Sequence, residues 1–441
     1  MKPVLPIDPI RSTRPSRRTA LAGIAASLSP LAALSCRAQT PAANAQPPAA
    51  PTAPARAYPA PQARDYQTIE VGPGQRFTSL TDAGVFMNTS WTGAGTRERL
   101  AKMGFRVLIH PGPEGYYTND SGSHSRRWPG GMRGWPPYEG NLLGPAIIEG
   151  APGKPPPVLD TDGYGDGVLY YQTGLFATGS CDATFRRLIF RGFRRKDGYG
   201  NYAAVRLGQT FADIPMHGVV TFEDCEISGC DDGLLGGDKG QKVVLRRCYF
   251  HDNGNETGLT HNVYIGNVDE LLVEDVLSTR ATIGHLLKSR AARTTIRNTR
   301  LIGGGGTESA CLDVPNAGVL DIEGLVAEKS PGTDAVWLIH YSGENQDQHG
   351  VTFHDPSSVR IQGLTMIAPD KLTRKSASQA IYGFANQSGD GAFASGRGSR
   401  LITPQAADVR VYNLSQERAG LPCTALSARP ALDMSSPVKL T

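Results

Sequence analysis

The sequence predicts an all-β fold, a right-handed parallel β-helix (solenoid) with one N-terminal capping helix. Three observations carry that prediction. Glycine is abundant, at 52 of 441 residues, while aromatics make up only 7%; this suits short strands joined by tight turns. An apolar-x-x-apolar pattern recurs at Phe185/Leu188, Phe222/Cys225, Leu245/Cys248, Val273/Val276, Ile296/Thr299, Ile322/Leu325, Ile361/Leu364 and Val411/Leu414. A second strand-like run follows each of these as far as the sixth.

The first 38 residues read as an export signal. Arg17 and Arg18 precede an Ala-rich run that ends near Ser35, the pattern of a twin-arginine signal. Ser29 and Pro30 interrupt that run, which is too short for a membrane span. The stretch 33-ALSC-36 is similar to a lipoprotein processing box in which Cys36 would be acylated, although Ala33 departs from the usual Leu. Ordinary cleavage near Ala38 is the alternative. Residues 39–65 form a Pro/Ala-rich tether with no core-forming pattern. The expected location is therefore periplasmic or extracellular, with membrane attachment only through Cys36.

The helix is predicted over 77-FTSLTDAGVFM-87, with an N-cap at Thr78 or Ser79, where it would block the open end of the stack. The β-helix domain spans residues 66–414. Its first ladder advances by 37, 23, 28, 23, 26, 39 and 50 residues, so the short steps are single coils and the long ones carry inserted loops. The second ladder runs through 203-AAVRLG-208, 233-GLLGG-237, 261-HNVYI-265, 285-HLLKS-289, 310-ACLDV-314 and 336-VWLIH-340. Gly, Asn and Asp clusters separate the two ladders, as turns require. Residues 415–441 read as an irregular tail.

The net charge of +4 is small and is carried largely by the first 65 residues, so no nucleic-acid partner is expected. Six cysteines remain beyond Cys36 and none shows C-x-x-C spacing, which argues against zinc. Cys225 and Cys248 occupy equivalent repeat positions and read as stacked, buried small side chains.

The runs 260-THNVYIG-266, 284-GHLLKSRA-291 and 313-DVPNAG-318, with the opening 70-EVGPGQRFTSL-80, carry a resemblance to the bacterial exported β-helix repeat proteins of the pectate-lyase-like superfamily. It covers about residues 66–345. The resemblance implies the fold strongly and the reaction weakly, since one fold hosts many chemistries. Many members of the wider superfamily cleave acidic polysaccharides.

Side chains of a strand alternate between faces. With Leu207, Leu235, Val263, Leu287, Leu312 and Leu338 inward, the outward column is Gly208, Gly236, Tyr264, Lys288, Asp313 and Ile339. The outward neighbours on either side include Asn262, Leu286, Cys311 and Trp337, then Gly266, Arg290, Pro315 and Tyr341. The same alternation sends His261 and His285 inward, as a stacked pair bonded to turn backbone; at a strand edge either would instead serve as base.

Lys288 and Arg290 face one way, two residues apart, as a clamp for glycan carboxylates. In β-elimination from a uronic acid a base removes the C5 proton while a cation stabilises the carboxylate. Lys288, Tyr264, His261 and His285 are the candidate acid/base residues and Arg290 the candidate cation. Asn262, Asp313, Trp337 and Tyr341 are candidate substrate contacts. A plain Lys288–Asp313 salt bridge is the competing reading.

Asp231 and Asp232 point to a hydrolase instead, with one carboxyl as acid and one as base. They are similar to the Asp pair of polygalacturonase-type hydrolases, but no G-H-G or R-I-K motif accompanies them. The same carboxylates could hold Ca²⁺, although no dense oxygen-ligand motif is present. The aromatic stretch 115–140, with Trp128 and Trp135, reads as a loop carrying sugar subsites or as a local mini-core. The expectation is thus a monomer acting on acidic polysaccharide, with a non-catalytic glycan-binding scaffold as a further alternative.

Overall fold

The computed structural model describes residues 66–78, 80–93, 103–112, 116–117, 141–142, 144–160, 174–178, 181–194, 201–208, 218–342, 353–373, 380–386, 400–401 and 404–439. The signal, the tether, Cys36, and Trp128 and Trp135 of the 115–140 loop lie outside these residues.

The chain is a parallel β-helix. Every strand pairing among the described residues is parallel, and each joins a strand to its equivalent one coil away. Nine strands stack into one sheet, which includes Ala203–Leu207, Asp232–Gly236, Val263–Ile265, Leu287–Ser289, Leu312–Val314, Trp337–Tyr341 and Tyr382–Asn386. These are the runs of the second ladder, extended at both ends. The remaining strands form the long sheet, whose rungs bend at the apolar-x-x-apolar motif.

The structure gives that motif a geometric meaning. Its third residue is left-handed in all eight copies: Arg187, Asp224, Arg247, Asp275, Asn298, Gly324, Gly363 and Asn413, with φ between 43° and 89°. The two apolar residues point into the core on either side of this corner, as Phe185 and Leu188 do at 0% exposure. The second residue points out, and there the charges alternate from rung to rung. Glu149, Arg186, Glu223, Arg246, Glu274, Arg297 and Glu323 lie in register. Arg186 reaches Glu149 at 3.3 Å and Glu223 at 2.9 Å, while Arg246–Glu274 and Arg297–Glu323 close to 2.8 and 2.7 Å. An ionic ladder therefore runs from Glu149 to Glu323, each inner charge flanked by its opposite, and ends at the uncharged neighbours Leu108 and Gln362.

The helix Leu80–Gly93 begins where an N-cap at Ser79 would start it and places Leu80, Ala83 and Met87 in the core. Phe86 packs edge-on to Phe105, with centroids 5.9 Å apart. At the other end the short helix Gln416–Ala419 inserts Ala419 into the core, and Gly420 adopts φ 70° against the carbonyl of Phe384. The expected tail of 415–441 thus contains a helix seated in the core; beyond it the chain is mostly irregular, yet it is anchored. Arg429 pairs with Glu328 at 2.7 Å, Arg300 with Asp433 at 2.6 Å, and the Lys439 N–H donates to Asp224 at 3.0 Å. The six described cysteines are free thiols. Cys225 and Cys248 are fully buried at the corner, and burial raises the Cys225 thiol well above its ordinary value.

Candidate functional site

Register in the nine-stranded sheet defines the outward column as Arg206, Leu235, Tyr264, Lys288, Asp313 and His340. Tyr264, Lys288 and Asp313 stand where the sequence places them. Gly208, Gly236 and Ile339 do not, and Leu235 faces out rather than in. The alternation is correct along each strand, but its phase shifts by one or two residues where strand lengths differ between rungs.

A second correction concerns the residues just ahead of the strands. Asn262, Leu286 and Cys311 are fully buried, and so are Val263, Leu287 and Leu312 that follow them. Two successive side chains point inward because a bend precedes each strand and breaks the alternation. Asn262 is thus an interior hydrogen-bonding residue and not a substrate contact: its amide donates to Ser278 Oγ and Thr279 O, both at 2.9 Å. Tyr341 is also interior, at 0% exposure, with its hydroxyl donating to the Gly318 carbonyl. Trp337 does stand on the outer side, stacked on His340 with centroids 5.3 Å apart.

The same bend turns His261 and His285 outward instead of inward. They do stack, with centroids 4.7 Å apart and planes 14° from parallel, and they are bonded to backbone as expected. The N–H of His285 donates to His261 Nδ1 at 2.9 Å, and the N–H of Ala310 donates to His285 Nδ1 at 3.0 Å. A backbone N–H can only donate, so both rings are neutral and carry their proton on Nε2. Burial lowers the His261 imidazole well below its ordinary value and brings His285 down to about 3, although Asp313 opposes the latter shift. One rung earlier Asp232 Oδ1 accepts the His261 N–H at 2.8 Å. A continuous ladder of side-chain caps therefore runs Asp232, His261, His285.

Asp313 is the hub of the site. Its carboxylate receives Lys288 Nζ at 2.9 Å, His285 Nε2 at 3.3 Å and His340 Nδ1 at 2.8 Å. Burial alone would raise this carboxyl, but Lys288, His285 and His340 hold it well below the usual carboxylate range. Since an ionised carboxylate only accepts, His340 Nδ1 carries a proton, and its Nε2 has no hydrogen-bond partner among the described residues. Arg290 Nε donates to the Tyr264 hydroxyl at 2.8 Å, and its Nη1 donates to Asn316 Oδ1. Lys288 and Arg290 both lie 5.7 Å from the Tyr264 ring centroid. Lys288 is thus fixed as an ammonium beside Asp313, which leaves His340 as the better-placed base.

Asp231 and Asp232 are both fully buried. Asp231 accepts the Tyr202 N–H and the Asn255 amide. Burial pushes the Asp232 carboxyl well above its ordinary value; the His261 N–H opposes this and the neighbouring Asp231 adds to it. This pair supports the turn rather than facing a substrate. No cluster of His, Cys, Asp and Glu among the described residues could hold a metal ion.

His340 escaped the sequence reading because the column was phased through Ile339. Its signal was the sequence WLIHY, where one residue of shift exchanges Ile339 for His340. Comparison with protein-family models, with curated proteins and with solved structures found no match in any of the three, so the chemistry of the site rests on its own geometry.

Proposed function

We propose that the protein is an exported, polysaccharide-active β-helix that cleaves uronate-containing glycan by β-elimination. The observation that carries this reading is His340, held by Asp313 through Nδ1 with Nε2 left without a partner among the described residues. A general base needs this pairing, with a carboxylate fixing the tautomer and the opposite ring nitrogen uncommitted; Nε2 is buried, so a substrate reaches it only when the side chains over it shift. Lys288 pairs with the Asp313 carboxylate, while Arg290 bonds the Tyr264 hydroxyl and the Asn316 amide oxygen. The two side chains set cationic groups on either side of Tyr264, the chemistry that would recognise the carboxylate of a uronic acid. Tyr264 accepts from Arg290 and keeps its own proton to give to a leaving oxygen.

The twin-arginine segment and the Pro/Ala tether support export, with Cys36 as a membrane anchor if it is acylated. A non-catalytic glycan-binding surface is the second reading, favoured by the internal pairing of both Lys288 and Arg290. A product assay over acidic and neutral glycans separates the two. Release of unsaturated product, followed by its ultraviolet absorbance, is the expected result; binding without turnover across the panel would overturn the lyase reading.

A further inference from the structure

The outer face of the nine-stranded sheet continues beyond His340 toward the C-terminal end of the stack. There Trp337 pairs in register with Tyr382, and His340 with Ala385. Ile339, Tyr341 and Phe384 fill the core, and the bend ahead of the strand turns Leu338 inward as well, which leaves Trp337 and its register partner Tyr382 on the outer side. Tyr382 is 42% exposed, a level that few large apolar side chains among the described residues reach. Its neighbours are small or flat: Ala385 lies three residues along its own strand, and Trp337 lies one rung back against His340. An exposed phenol ring beside a methyl group and an indole makes a shallow aromatic platform, open to solvent.

We infer that Tyr382, with Trp337 beside it, is a stacking subsite for a pyranose ring of a uronate-containing glycan whose chain lies along the stack of rungs. The inference rests on the glycan-active reading above and adds the direction of the chain and its outer contact. A pyranose has a face of C–H bonds, and such a face packs on an aromatic ring while its hydroxyls stay in water. From Tyr264 to Tyr382 the sheet advances through Lys288, Asp313 and His340, four steps of about 4.8 Å or roughly 19 Å in all. That span exceeds a single sugar ring, so the cationic end and the aromatic end are occupied together only by an oligomer.

Native gel electrophoresis of the full chain through gels containing polygalacturonate or alginate tests this directly. The wild type, Tyr382→Ala, Tyr382→Phe and His340→Ala are compared, each with its thermal midpoint measured. Tyr382→Ala is expected to weaken retardation about three- to tenfold without changing the midpoint, an effect in the range of one aromatic contact. Tyr382→Phe keeps the ring and keeps the binding, and His340→Ala binds while losing turnover. Wild-type retardation that persists unchanged in Tyr382→Ala would overturn the subsite and leave the lyase reading standing. A wild type that neither polymer retards, and that forms no unsaturated product, would overturn that reading and the subsite with it.

Discussion

The backbone N–H of His285 donates to Nδ1 of His261 across 2.9 Å, while the two imidazoles stack 4.7 Å apart. One contact fixes a tautomer, holds two coils in register and removes a buried donor. Asp232 does the same for His261 one rung earlier, through a carboxylate oxygen. The cap therefore needs an acceptor at that position and not an imidazole.

This predicts how stability depends on pH. Unfolded histidines titrate near 6.5, whereas His285 in the fold titrates near 3 and His261 is likewise depressed by burial. Below about pH 6.5 the unfolded chain binds protons that the folded chain refuses. The stabilisation is thus complete above about 6.5 and declines as pH falls toward 3, by up to about 1.4 kcal/mol per pH unit for each histidine. His261→Asn keeps an acceptor and should flatten the slope; His261→Ala should cost about 1–3 kcal/mol at neutral pH. Thermal melts from about pH 7.5 to 4.5 measure both.

Asp313 is a carboxylate shared by Lys288, His285 and His340. Asp313→Ala removes a buried carboxylate bonded to Lys288, His285 and His340 and should cost about 3–5 kcal/mol in denaturant unfolding. Because the folded carboxyl is depressed, its contribution is present above about pH 4 and is lost as pH falls further. A cost below about 1 kcal/mol would be that of an exposed pair, not of a hub.

His340→Gln removes the free nitrogen without opening the interior. Under the lyase reading, turnover of a uronate glycan should fall by about 100-fold or more, with the thermal midpoint held near wild type. Undiminished turnover would remove His340 as the base; undiminished turnover in both Lys288→Ala and Arg290→Ala would remove the whole cluster.

The ionic ladder on the long sheet should make stability salt-sensitive. Glu223 bonds Arg186 and Arg247, at 2.9 and 2.6 Å. Burial would raise its carboxyl, but these two arginines outweigh that effect and lower it. Glu223→Gln should cost about 1–2 kcal/mol in low salt, somewhat above an isolated exposed pair because both neighbours lose a partner. The difference should shrink from about 0.1 to about 1 M salt, as the Debye length falls from ~10 to ~3 Å. A mutational cost independent of salt would contradict the ladder.

Removal of residues 429–441 deletes the tail's contacts to Glu328, Arg300 and Asp224. The truncated chain should melt lower than the full chain and be cut faster by protease. Equal melting and equal resistance would show the tail to be only a passenger.

Much of the fold was legible in the sequence because its signals are local. In FRRL, FEDC, LRRC, VEDV, IRNT, IEGL, IQGL and VYNL the apolar ends mark the core side of a corner. The third position tolerates a left-handed backbone in every copy. The alternation of Arg and Glu at the second position was equally visible, yet it carries no meaning until those positions are known to be stacked. The site was legible only in part. Tyr264, Lys288 and Asp313 were placed correctly because their three strands begin at equivalent residues; Asn262, Tyr341 and the histidines were not.

By itself the sequence determined the repeat, the two ladders, the capping helix and one three-residue segment of the outer column. Each depends on alternation within a strand or on a turn a few residues long. The tertiary structure alone decided that His340 and not Ile339 faces out, that Asn262 and Tyr341 are interior, and that Asp313 gathers Lys288, His285 and His340. Those outcomes depend on the bend ahead of each strand and on register between coils some 25 residues apart. A shift of one residue there reverses every side chain, and no pattern within a single coil specifies it.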